Sequence, residues 1–294
     1  MQINKHGSFY IRNGWPTKIM DAITGDPLIF SPNNELSAVD VIGVGRVMVK
    51  SMRYWANVMG ITYETKIPQG VSHQFTGLGR QISENDPYCQ NTATLWLLHR
   101  NLARSKKDAT AWWWLYNDCD QQSFTKESFS SAFYLFLQRH GETYPKKSVE
   151  KEFDCLKNTY VSEKAFDVHK IVDEDTVPFF APLRLIQYTG NNTFEKRKPK
   201  AKEIPLGVLH YCILADNSKH LETSTEIDID TLLESDKQVG RYMNLSYSTL
   251  LELLQQLENT GKLKLVNNFG SRYIHLLDVD SERVLRDCFK RDVR

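Results

Sequence analysis

Apolar and polar positions along the chain repeat one grammar three times: a short helix, a turn, an amphipathic helix, and then a hairpin or a further helix. The first unit spans about residues 36–80. A short helical piece at 37–42 leads through the turn Gly43-Val44-Gly45 into a helix over 46–59, and both glycines suit turn conformations that bulkier residues resist. On that helix Val44, Val47, Met48, Ser51, Met52, Trp55, Ala56 and Met59 recur at the spacing of one helical face, which should pack inward. Arg46, Lys50, Arg53 and Asn57 then point outward. Residues 61–76 follow with strand and turn signals, the place for a β-hairpin wing.

Residues 92–160 read as almost wholly helical. Thr125 with Ser128 opens the stripe Phe129, Phe133, Phe136 and Leu137, and Pro145 leads Val149, Phe153, Leu156 and Tyr160 at helical spacing. This second unit shows no clear wing. A third begins at Leu206, with Ser246 as an N-cap before Leu250, Leu254 and Leu257, Gly261 as the stop, and alternation over 262–266 and 271–276 that predicts a hairpin. The fold class expected is therefore mainly α with small β-hairpin wings, as tandem winged-helix or helix-turn-helix units. The expected division is 1–90, an N-terminal segment and first winged-helix unit; 91–165, a helical second unit; 166–204, a linker marked by an acidic, proline-bearing stretch near 173–178 and five cations in 196–202; and 205–294, a third winged-helix unit.

Composition narrows the function classes. In 294 residues, 37 Lys and Arg meet 36 Asp and Glu, so no whole-molecule field draws in a polyanion and any nucleic-acid contact has to be local. The first 80 residues carry 8 basic and 5 acidic side chains, and residues 205–294 carry 11 and 14, which places the positive patch towards the front. Five scattered cysteines, never in a C-x-x-C pair, argue against a disulfide framework or a zinc site and for a reducing cytosol. No targeting or membrane-spanning segment is expected, so the location expected is cytoplasmic.

The row Arg46, Lys50, Arg53 and Asn57 carries the clearest chemistry. A helix fits the major groove of duplex DNA, where Arg and Lys donate to guanine and Asn pairs with adenine; the alternative is a solvated helix face. The equivalent face of the third unit holds Ser248, Glu252, Gln255 and Asn259, and its carboxylate repels phosphate. Lys146 and Lys147, at the start of the helix after Pro145, are candidates to hold one phosphate. Consecutive Trp112, Trp113 and Trp114 point 100° apart on a helix, which favours core packing over a stacking platform. Arg100, Arg104, Lys106 and Lys107 are either a backbone-tracking cluster or a solvated helix end. Glu64-Thr65-Lys66 matches the E-x-K fragment of metal-dependent nucleases, a pattern common enough to recur by chance and without an upstream P-D. His99, on an apolar helix, reads as a structural histidine. No nucleotide-binding or metalloprotease motif is present.

Two strings, His6-Gly7-Ser8-Phe9-Tyr10-Ile11-Arg12-Asn13-Gly14-Trp15-Pro16-Thr17-Lys18 and Gly43-Val44-Gly45-Arg46-Val47-Met48-Val49-Lys50-Ser51-Met52-Arg53-Tyr54-Trp55, precede Asp86-Pro87-Tyr88, Thr94-Leu95-Trp96-Leu97-Leu98-His99 and Asp154-Cys155-Leu156-Lys157-Asn158-Thr159-Tyr160. In this order they resemble a bacterial family long catalogued as a domain of unknown function, the SspB-like proteins of single-stranded DNA phosphorothioation (Ssp) defence systems. The resemblance implies a DNA-nicking role at sites where sulfur replaces a non-bridging phosphate oxygen, with double-stranded DNA as substrate and a cysteine desulfurase, an ATPase and an ATP pyrophosphatase-like enzyme as partners. If nicking is intrinsic, magnesium or manganese is expected, to stabilise charge on the phosphate. The resemblance carries no catalytic residues onto this chain, so Glu64 and Lys66 remain candidates from their spacing alone, while Arg12 and Lys18 fall within the shared motif as candidate backbone contacts. The alternative is a non-catalytic transcription regulator or DNA-targeting adaptor.

Overall fold

The computed structural model describes residues 1–161, 177–268 and 270–290. Among the described residues about half are helical, and the strands form three small antiparallel sheets. The first unit opens with α1 (Trp15–Gly25), α2 (Glu35–Ile42) and α3 (Arg46–Val58). Gly43 ends α2 at φ 72°, a left-handed turn that a side chain resists, whereas Gly45 begins α3 at an ordinary φ of −64°. Met52, Trp55, Ala56 and Met59 are buried as the spacing predicts, but Val47 is 55% exposed and Val49 takes the inward place. The first turn of α3 extends past the core, where Val47 lies beside the segment around Gly7. A hairpin follows as expected, β1 (Thr62–Ile67) on β2 (Gly70–Phe75), and α4 (Gly77–Asn85) is capped by the Thr76 hydroxyl.

Gly79 sits in the first turn of α4 against the hairpin's root. A Cβ there would lie 1.9 Å from the Ile61 carbonyl oxygen, so only glycine lets the backbones approach. Gly79→Ala should therefore overpack this contact and lower the melting temperature by roughly 3–8 °C, read by circular dichroism.

Two further units follow. α5 (Thr92–Arg104) is apolar nearly all round and buried, and α6 (Thr110–Asn117) brings the three tryptophans into the core as expected, packed against Trp55 and the phenylalanine stripe. Then come β3 (Ser123–Thr125), α7 (Lys126–Arg139), opened by a reciprocal Thr125–Ser128 capping box, and α8 (Lys146–Tyr160).

The expected linker is the main correction. Its acidic portion at 166–176 lies outside the described residues, but 186–196 form β4 (Ile186–Gly190) and β5 (Thr193–Lys196), joined by Asn191 and Asn192, both at positive φ. A two-residue loop with both residues left-handed matches the twist of the flanking strands. β5 pairs with β3, so the second unit has a three-stranded sheet and the hairpin its sequence hid. The cation run is likewise not solvated throughout. Lys196 is buried, its ammonium donating to the Leu115 and Cys119 carbonyls at the end of α6, and Arg197 pairs with Glu203. A sequence reader sees charge where the fold uses a lysine as a helix cap.

The third unit holds α9 (Leu206–Asp216), α10 (Ser218–Leu221), β6 (Glu226–Asp228), α11 (Ile229–Glu234), α12 (Val239–Tyr242) and α13 (Tyr247–Asn259), then β7 (Leu263–Asn268), β8 (Ser271–Leu276) and α14 (Ser281–Asp287). Ser246 caps α13 and Gly261 closes it at φ 73°, as the sequence indicates. The sheet order β6-β8-β7 repeats β3-β5-β4: in each case a strand before the helices pairs with the last strand of the hairpin. The segment before α1 is stitched to the second unit. Glu152 on α8 is buried and accepts from the Asn4 backbone N–H at 2.7 Å and from His6 Nε2 at 2.9 Å, and the Ser8 N–H on His6 Nδ1 fixes that tautomer. Among the described residues no helix is long and apolar enough to cross a membrane. All five cysteines are free, four of them buried, and burial raises the Cys212 thiol to about 12.

Candidate nucleic-acid interface

The outward row of α3 does not stand clear of the molecule. Its residues beyond the first turn line a cleft of about 850 Å³, walled by β1, by the end of α5 with the turn to Asp108, and by Lys237 ahead of α12. Exposure of the row falls along the helix: Arg46 and Lys50 are 58% and 67% exposed at the side chain, and Arg53 only 28%.

Glu64 accounts for that difference. Arg53 donates to both of its oxygens, at 2.7 and 2.8 Å, in a two-pronged pair. Asn57 Nδ2 donates to the same carboxylate at 2.5 Å, and His73 Nε2 lies 3.2 Å away. The Arg53 hydrogen bond, reinforced by its charge and outweighing partial burial, draws the Glu64 carboxyl down to about 2. Burial lowers His73, which leaves it neutral and donating through Nε2. A carboxylate so engaged orients α3 against the hairpin. Lys66, two residues along β1, is exposed and does not line the cleft.

Arg46 and Lys50 share Glu35, at 3.4 and 3.3 Å. Arg100 and Arg104 of the expected basic cluster share the fully buried Asp216, so they are anchored rather than a solvated helix end, while Lys106 lies over the Trp113 ring at 4.0 Å. In both sets two cations meet one carboxylate. Lys5 pairs loosely with Asp108 at 3.6 Å. Cations thus exceed carboxylates around a cleft on a chain whose total charge is +1.

The structure brings together Lys50, Arg53, Asn57 and Glu64, with Arg46 beside them, and not the rest. Arg12 is half-buried with its guanidinium over Trp15 and Tyr10, Lys18 is exposed on α1, and Lys146 and Lys147 lie exposed in the first turn of α8; none lines the cleft. Arg104 of the basic cluster also lines it, and so do Lys5 and Lys237, which escape a reading by spacing because residues from distant units meet only in the fold. His99 is structural, as expected: its Nε2 donates to the Tyr242 carbonyl at 2.7 Å and its Nδ1 accepts from the Tyr160 hydroxyl at 2.8 Å.

A family model described as "Protein of unknown function (DUF4007)" matches residues 3–290. The chain belongs to the DUF4007 family. Two solved structures resemble this DUF4007 chain, a magnesium ion-bound SspB crystal structure and an SspB crystal structure. Each has a TM-score of 0.81 and 21% sequence identity, over 99% of this chain and 90% of that one. At that identity the likeness establishes a shared fold. No curated protein is a significant match.

Proposed function

We propose that this protein is the DNA-binding component of a bacterial DNA phosphorothioation system, working with the desulfurase, ATPase and ATP pyrophosphatase-like enzyme that modify the strand. The fold held in common with SspB supports the setting. The observation that carries DNA binding is the cluster of cations around the α3 cleft, on a chain otherwise close to neutral. We read the units built on α3 with β1–β2, on α8 with β4–β5 and on α13 with β7–β8 as winged-helix modules, and their element order supports this.

Salt dependence tests the reading. Replacing Arg46 and Lys50 by Ala should weaken DNA binding and flatten the slope of log affinity on log salt by roughly 0.7 to 0.9 for each phosphate no longer neutralised. Glu64→Ala should act the opposite way, because it removes a carboxylate from the cleft and releases Arg53 and Asn57. An unchanged slope in the first variant would take α3 out of the interface.

The resemblance adds strand nicking and a divalent metal. Among the described residues no group of three or more His, Cys, Asp or Glu is placed to hold an ion, so the metal reading rests on the nicking reading. Nicking is separable from binding: the nicking reading requires conversion of supercoiled plasmid to open circle with Mg²⁺ or Mn²⁺ and none with EDTA. Binding without conversion would assign the chain to DNA targeting alone.

A further inference from the structure

A helix that reads a duplex must enter a groove about 12 Å wide with its neighbours out of the way. Here the second half of the α3 row is recessed between a hairpin and the end of α5, and Arg53 and Asn57 are already bonded to Glu64. The space, about 850 Å³, is of the size that encloses a compact small molecule. We propose that the cleft holds an unpaired DNA strand, one or two nucleotides at a time, with Lys237 on a phosphate and Tyr63 against a base; this rests on the DNA-binding reading above.

Lys237 is the main support. It stands at φ 63°, a conformation that costs a non-glycine residue energy and that the surroundings have to impose. They do so from α6: its N–H donates to Asn117 Oδ1 at 2.8 Å, and the carboxylate of the preceding Asp236 accepts the Trp113 indole N–H at 2.7 Å. Asn117 is itself fixed, donating to the Ala103 and Trp113 carbonyls. Two consecutive loop residues are thus pinned to a buried helix, and the second of them, Lys237, borders the cleft with no carboxylate partner among the described residues. Tyr63, which also lines the cleft, is 48% exposed, and its hydroxyl is held by Gln74 across the hairpin, which presents an aromatic surface of fixed orientation. A cation for the backbone and a ring for the base, lining one cleft, are what a single strand requires.

The full chain is titrated by fluorescence anisotropy against a labelled 20-nucleotide mixed-sequence single strand and against the blunt duplex of that sequence. The single strand should bind at least tenfold more tightly. Lys237→Asn, chosen because Asn accepts the left-handed conformation, should weaken single-strand binding about fivefold and leave the duplex unchanged. Tyr63→Ala should weaken it roughly 5- to 100-fold, and Tyr63→Phe should weaken it less, since it keeps the ring and loses only the Gln74 hydrogen bond that orients it. Equal or tighter duplex binding, with neither variant having an effect while Arg46→Ala and Lys50→Ala do, overturns the inference and leaves the DNA-binding reading standing. Binding of neither DNA removes both.

Discussion

Asp216→Ala should cost about 3–5 kcal/mol of folding stability, the largest effect expected of a single substitution in this chain. Asp216 ends α9, and its side chain is fully buried. It accepts from Arg100 Nε at 2.8 Å, from Arg100 Nη2 and Arg104 Nη1 at 2.5 Å each, and from the Tyr242 hydroxyl at 2.7 Å. Burial works against the Arg100 charge, and the Asp216 carboxylate outweighs it. Remove the carboxylate, and the nearly buried Arg100 guanidinium faces a poorly solvated interior without a counter-charge, while Arg104, at the edge of the cleft, loses its partner. That is the expensive way to lose a buried pair, in contrast with replacing all of its members by apolar groups. The same residue joins α5, α9 and α12, so the penalty falls on packing between units. Urea denaturation with intrinsic tryptophan fluorescence reads the change as a lower midpoint. Asp216→Asn, which keeps the shape and two lone pairs, should lose less. A shift below about 1 kcal/mol in the alanine variant would mean that the two arginines find solvent once released.

Asp216 also illustrates what the sequence could and could not disclose. α3, its outward cations, the hairpin after it, Ser246 as a cap and Gly261 as a stop are local matters, each settled by spacing or by one residue's conformational preference, and they are legible. Arg100 and Arg104 are legible as a basic pair, but the acid they share lies more than a hundred residues away, and no periodicity announces it. The same limit hides the cleft. Lys50 and Arg53 come from one helix face, whereas Lys5, Arg104 and Lys237 reach it from three other parts of the chain. Lys196 fails differently. A lysine heading a cationic run reads as solvated, and only its burial shows that it caps α6. Asn191-Asn192 is a local turn signal that the surrounding lysines and proline mask, because they suggest a linker. Glu64 stands out in the sequence for the wrong neighbour: the residue that matters to it is Arg53 on the adjacent helix rather than Lys66 on its own strand.

The protein should also lose stability as the pH falls from about 6.5 to about 4, by about 3 kcal/mol through His99 alone. Burial lowers this imidazole to about 4, against the opposing pull of the Tyr242 carbonyl. The geometry requires the neutral form, with Nε2–H donating to that carbonyl and Nδ1 accepting from Tyr160, whose own ionisation burial suppresses. The unfolded chain takes up a proton near the ordinary histidine value while the folded chain does not, so the stabilisation is complete above about 6.5 and is lost progressively as pH drops through the folded value. His73 and His210 are also lowered by burial and act with the same sign. Glu64 contributes later, below the usual carboxylate range and towards about 2, so the histidine window precedes the carboxylate window on acidification. His99→Gln separates them. Its amide can donate to the Tyr242 carbonyl and accept from Tyr160 without titrating, so the variant should unfold in urea with a flatter dependence between about pH 6.5 and 4 than the parent, whatever its stability at neutral pH. Parallel curves for the two proteins across that interval would show that His99 does not set the acid limit.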